Sequence, residues 1–187
     1  MNANFLKTSL AVALAIACNL AGAEVNEKVE VGYYRIRMND LEQIQSDSLQ
    51  KAIDQSTPLS SIRQWHTHSD TNWSVNWQID MSDQDATSCV IKKVNVALKA
   101  TVLLPNMATR NAQLKRQLEL YNQQLLAHEQ GHVEIARKTA GQIDAAIKQL
   151  PAMPNCEAMQ ERVNQTGQMF VQKGKSEESS YDRQGQK

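Results

Sequence analysis

Neither sign of charge predominates in this chain: 20 lysines and arginines face 20 aspartates and glutamates, for a formal net charge of +0. Such a balance supplies no electrostatic reason to bind nucleic acid or an anionic membrane. Cysteine is scarce at 3 residues, none in a Cys-x-x-Cys pair, which argues against a dithiol redox enzyme. The sequence shows no internal repeat, no phosphate-binding glycine loop and no basic-aromatic array. Its apolar run from Leu10 to Ala17 is too short to span a bilayer as a helix.

That run has a different use. Lys7 precedes it and Ala21-Gly22-Ala23 follows, an order of basic end, apolar middle and small-residue site that reads as a secretory signal cut after Ala23. The expectation is a soluble exported protein, periplasmic or secreted. A lipoprotein anchored through Cys18 is the weaker alternative, because Ala15 stands where a larger aliphatic residue is usual. Loss of Lys7 with the signal leaves 19 basic against 20 acidic side chains, a net charge of about −1. Residues 24–173 have the length of one domain with a sizeable core, and 174–187 read as a polar tail. Nothing in the sequence specifies an oligomeric state.

Cys89 and Cys156 are then the two mature cysteines, and an oxidising compartment favours a disulfide between them over two reduced core thiols.

The periodicities outline an α+β domain. Val29 to Met38 is rich in β-branched and aromatic residues and reads as a strand. Asn39 or Asp40 can cap a helix to about Gln55, which Thr57-Pro58 would end. Thr71, Trp73, Val75 and Trp77 alternate with polar residues, the period-2 mark of a strand with one buried face. After a turn at 81–88, Val90, Val94, Val96, Leu98 and Val102 suggest an antiparallel partner ending at Pro105. A long proline-free span from Thr109 to Leu150 repeats apolar residues at steps of three and four. A helix of that length is long for so small a domain, so a bend is expected near Pro105 or Gly141. Asn155 can cap a last helix from Cys156 to about Lys173, with Met159, Val163 and Phe170 as its apolar face. The expected fold is a small antiparallel sheet of about three strands packed on the long helix and a second C-terminal helix.

Within the long helix stands His128-Glu129-Gln130-Gly131-His132. Positions i and i+4 share a helix face, so both imidazoles can reach one metal ion, while Glu129 lies beside it. This is the zinc-hydrolase H-E-x-x-H pattern, with Glu129 as general base and Zn2+ as cofactor. The histidines also fill the apolar stripe in register, as two plain core histidines would. Gly131 costs helix stability and implies close packing or a need for space there.

A catalytic zinc site takes a third protein ligand. Position 138 is a lysine, which excludes the elongated motif with a third downstream histidine. The remaining candidates are His66 or His68, Glu157 or Glu161, and Asp182. His66 and His68 would share one strand face, although a polar loop or solvated edge is the simpler use for them. Glu134 points away from the histidines and reads as surface charge.

The order of these features resembles the predicted secreted zinc-dependent proteases grouped as domain of unknown function 922. The resemblance rests on the Tyr34 strand, Thr57-Pro58, Thr71-x-Trp73-x-x-x-Trp77 and Cys89 with its valine-rich strand ending in Leu104-Pro105. It continues through the motif followed by Ile135-Ala136, Cys156 on the next helix, and Tyr181-Asp182. It implies a zinc-peptidase-like site with His128 and His132 as ligands, Glu129 as base and a peptide or protein as substrate. The chain departs from the family after Tyr181-Asp182: Arg183-Gln184-Gly185-Gln186 stand where the family tends to carry a Thr and then His-Gly. If that histidine were the third ligand, the site here is weakened; if Asp182 is, the site survives. The rival reading is a non-catalytic exported binding or scaffold module of the same fold, with a structural metal or none.

Overall fold

A computed structural model describes residues 25–35, 69–84, 88–106 and 112–184. The expected signal segment with Cys18, the expected helix at 39–55, Thr57-Pro58, His66 and His68 lie outside the described residues.

Among the described residues three strands and two helices follow one another: β1 (Val25–Arg35), β2 (Asp70–Gln84), β3 (Ser88–Asn106), α1 (Ala112–Lys148) and α2 (Cys156–Gln184). The strands form one sheet in the order β1-β3-β2. Strands β2 and β3 pair antiparallel as expected, with Trp73 opposite Ala100, Trp77 opposite Val96 and a bulge at Asp80/Met81. Strand β1 pairs parallel to β3, with Val25 opposite Val96 and Tyr34 opposite Pro105. The sheet is therefore mixed, where a purely antiparallel one was expected. Alternation identifies the buried face of a strand and carries no information on its direction.

The even-numbered residues of β3 from Val94 to Leu104 are all buried, and with Trp73 and Val75 of β2 they form one wall of the core. The other wall is α1, whose Ile135, Thr139, Ile143 and Ile147 recur at one-turn spacing and are buried. Helix α1 is unbroken over 37 residues, about 55 Å at 1.5 Å per residue, and the expected break at Gly141 does not occur. Residues on both sides of Gly141, Ala140 and Ile143, are anchored at 0% exposure, so packing holds the helix through the glycine. Arg137 ties α1 to β1 through Glu27, with Nε–Oε1 2.8 Å, and Lys138 ties it to α2 through Glu177 at 2.8 Å.

Helix α2 starts as expected. Asn155 accepts the Ala158 backbone N–H at 2.8 Å, an N-cap bond, and the Cys89–Cys156 disulfide pins the first turn to β3. Two backbone hydrogen bonds between Cys89 and Met153, at 2.7 and 3.0 Å, reinforce that anchor. The helix does not stop near Lys173 but continues to Gln184. Its buried line runs Met159, Val163, Gly167, Gly174, so aliphatic residues give way to glycines where tryptophan rings press on the helix. A Cβ on Gly167 would lie 2.4 Å from Trp77 Cζ2, and one on Gly174 would lie 2.4 Å from Thr139 Oγ1 of α1 and 3.2 Å from Trp73 Cη2. An apolar-residue count misses such a face because the apolar atoms come from the partner. Among the described residues no helix is long and apolar enough to cross a membrane.

Candidate metal centre

The centre forms where the inner face of α1, the start of β2 and the last two turns of α2 meet. Helical spacing sets His128 and His132 on one face of α1, and their Nε2 atoms lie 3.3 Å apart. Asp182 of α2 reaches the same point: its Oδ1 is 2.8 Å from His132 Nε2 and 3.4 Å from His128 Nε2. Three atoms that can each offer a lone pair thus crowd within 3.4 Å of one another. Only a proton or a cation among them relieves the repulsion.

The spacing fits a metal ion. Four tetrahedral ligands at zinc bond lengths of 2.0–2.1 Å stand about 3.3 Å from one another, close to the separations found. His128, Glu129 and His132 each present a ligand atom within 4.8 Å of the others, so this group could bind a metal ion. The His132 side chain is sealed at 7% exposure, whereas His128 and Asp182 are open at 35% and 34%. The point where the three atoms converge is therefore reachable from solvent on one side.

Glu129 of that group is also held by other partners. It is 3% exposed, and its two oxygens accept hydrogen bonds from Ser69 Oγ and Thr71 Oγ1, each at 2.5 Å. These hydroxyls anchor Thr71 of β2 and the preceding Ser69 to α1 and aim the carboxylate. Behind His132 lies Glu178, whose Oε1 is 3.5 Å from His132 Nδ1. Glu178 accepts the Trp73 indole N–H at 2.9 Å and the Lys175 ammonium at 3.0 Å, and Lys175 sits 3.9 Å from the centre of the Trp73 ring.

Burial is the largest single influence on His132 and pushes its pKa down, but the facing carboxylates of Glu178, Asp182 and Glu129 outweigh it and leave the value raised. For Glu178, burial pushes the pKa up, and contacts with His132, Lys175 and Trp73 together bring it below the usual carboxylate range.

Tyr181 closes the third side. Its ring stacks on His128 with centroids 5.0 Å apart, meets His132 edge-on at 5.1 Å, and its hydroxyl donates to the His128 carbonyl at 3.1 Å. The glycine at 131 makes room for that ring, since a Cβ there would lie 2.2 Å from Tyr181 Cζ.

Of the third-ligand candidates within the described residues, only Asp182 arrives. Glu157 and Glu161 are exposed on the opposite end of α2, and Asp182 stands 21 helical positions beyond Glu161, about 30 Å away. Glu134 is exposed and paired with Arg137, as its position around the helix implies. Asp83 lies near Cys89 and Cys156, but both sulfurs are committed to the disulfide and offer no thiolate. Sequence reasoning missed Glu178, Ser69 and Thr71. Glu178 had a readable signal: it stands four residues before Asp182 and four after Gly174, on the line that continues the buried face of α2. Ser69, just before β2, had none, and Thr71 had none beyond its place on the inner face of that strand.

The family model described as "Bacterial protein of unknown function (DUF922)" matches residues 31–187. That description assigns no activity, so the resemblance holds for the family and is silent on proteolysis. Neither the curated proteins nor the solved structures yield a match.

Proposed function

We propose that this chain, which belongs to the DUF922 family, is an exported zinc-dependent metallopeptidase. His128, His132 and Asp182 would be the protein ligands, with the fourth position open to solvent. The observation that carries the reading is the convergence of two Nε2 atoms and one carboxylate oxygen at separations of 2.8, 3.3 and 3.4 Å. The absence of the family's last histidine then does not empty the third ligand position. Bound zinc supplies a Lewis acid and brings the pKa of its water towards about 7. Glu129, aimed by Ser69 and Thr71, accepts a proton from the attacking water and returns it to the leaving amine. Tyr181 and Glu178 pack against His132, which is 6% exposed. A peptide substrate approaches over the exposed edges of His128 and Asp182.

Purified mature protein tests this in two steps. Stoichiometric zinc after metal loading is expected; its absence on refolding with zinc would remove the metalloenzyme reading. Glu129→Gln is then expected to retain zinc and lose peptide hydrolysis, and unchanged hydrolysis would exclude Glu129 from the chemistry.

One observation favours a second reading, an exported binding module with a structural metal. Both Glu129 oxygens are already engaged by hydroxyls, as in a carboxylate that only ties β2 to α1. On that reading the zinc-loaded wild type hydrolyses no peptide in a diverse library, and Glu129→Gln changes stability alone.

A further inference from the structure

His132 is enclosed by a single helix from two directions. Asp182 stands before its Nε2 at 2.8 Å, and Glu178, one turn earlier on α2, stands behind its Nδ1 at 3.5 Å. We infer that Glu178 is the positioning residue of this centre: it takes the Nδ1 proton of His132 and so holds Nε2 towards His128 and Asp182. This inference rests on the metal-site reading above.

An imidazole that binds a metal through Nε2 keeps its one remaining proton on Nδ1. Here that atom is buried and has no hydrogen-bond partner among the described residues. A buried donor without an acceptor is rare in folded proteins and calls for an explanation. Glu178 Oε1 is the carboxylate oxygen that faces it, a few tenths of an ångström beyond an ordinary N–H···O bond. The carboxylate cannot turn away freely. Trp73 donates to Oε1 at 2.9 Å, and Lys175 donates to Oε2 at 3.0 Å from the preceding turn. Glu178 is 14% exposed, so water does not readily replace it. A slight rotation of the His132 ring as Nε2 engages a cation completes the bond. The fixed carboxylate both orients the ring and raises its basicity towards a metal.

His128 is held differently, by the stacked ring of Tyr181, and its side chain is five times as exposed as that of His132, 35% against 7%. The effect of Glu178 is therefore confined to one of the two histidines.

The test compares zinc affinity of the full mature chain in wild type, Glu178→Leu, Glu178→Gln and the control Glu177→Gln, whose parent residue pairs with Lys138 at the surface. Circular dichroism monitors folding, and the imidazole N–H proton of His132 is followed by NMR in the zinc-loaded protein. Glu178→Leu, which offers no acceptor, is expected to bind zinc about 10- to 100-fold more weakly and to lose the slowly exchanging Nδ1–H signal. Glu178→Gln keeps an oxygen acceptor and is expected to recover part of both, while the control matches wild type. Should the leucine variant not fold, the glutamine variant decides alone, with a several-fold weaker affinity and faster exchange expected. Wild-type affinity and an unchanged Nδ1–H signal in the folded variants would overturn the role of Glu178 and leave the metal centre standing. A wild type that binds no zinc fails at the metal centre itself and takes this role with it.

Discussion

The ring of Tyr181 occupies the space beside Gly131 that any other residue's side chain would need: a methyl group there would meet both Cζ and the hydroxyl oxygen at 2.2 Å. The glycine inside the H-E-x-x-H motif is thus where α2 crosses α1, and the crossing brings Asp182 to the two histidines. Gly131→Ala sets two effects against each other. Alanine favours the helix by about 1 kcal/mol, while the collision falls on a half-buried ring near the end of α2 that can swing out. Global stability in urea is expected to change by less than about 1 kcal/mol, with zinc affinity reduced roughly tenfold as the ring leaves His128. Unaltered zinc affinity would mean that the Tyr181 contact does not organise the centre.

Gly167 and Gly141 make a matched pair. A Cβ on Gly167 would lie 2.4 to 2.6 Å from three atoms of the Trp77 indole, whereas one on Gly141 meets nothing within 4 Å. Gly167→Ala is expected to destabilise the fold by about 1–3 kcal/mol through overpacking. Gly141→Ala should stabilise it by about 0.5–1 kcal/mol through helix propensity alone. Equilibrium unfolding of the two variants checks the opposite signs.

The disulfide spans 67 residues of sequence and encloses the whole of α1. Replacing Cys89 and Cys156 together by serine is expected to cost roughly 4 kcal/mol, mostly by freeing the unfolded chain. Buried Cys89 at 0% exposure adds the cost of a new hydroxyl in the core. Denaturant unfolding of the double variant, compared with wild type under reducing conditions, separates the two contributions.

Asp182→Asn keeps the size of the side chain and removes its charge. Because Asp182 is a ligand on the proposed reading, the loss of zinc affinity is expected to exceed the roughly 10- to 100-fold typical of residues behind the ligands. Zinc titration against a chelator of known affinity measures it, and an affinity within a few-fold of wild type would point to a third ligand other than Asp182.

Thr71→Val removes one hydroxyl donor from buried Glu129 with little change of shape. The unsatisfied carboxylate oxygen is expected to cost about 1–3 kcal/mol. The same substitution in a Glu129→Leu background should cost much less, a coupling that a double-mutant cycle reads directly.

The local pattern of the chain determined a good deal. Periods of 3.6 and 2 assigned α1, β2 and β3 and turned His128 and His132 inward, because both periodicities report which side of an element is dry. The cap at Asn155, the pairing of Cys89 with Cys156 and a crowded Gly131 follow from equally local chemistry. The tertiary structure decided the rest. The parallel direction of β1 depends on where the chain between β1 and β2 travels, which alternation within the strand does not encode. The extension of α2 through a polar stretch depends on Trp73, Trp77 and Tyr181 supplying the apolar contacts from outside or across the helix face. The approach of Asp182 to His132 and of Glu178 behind it exists only once the two helices cross, since Glu178 stands 46 positions along the chain from the histidine that it faces.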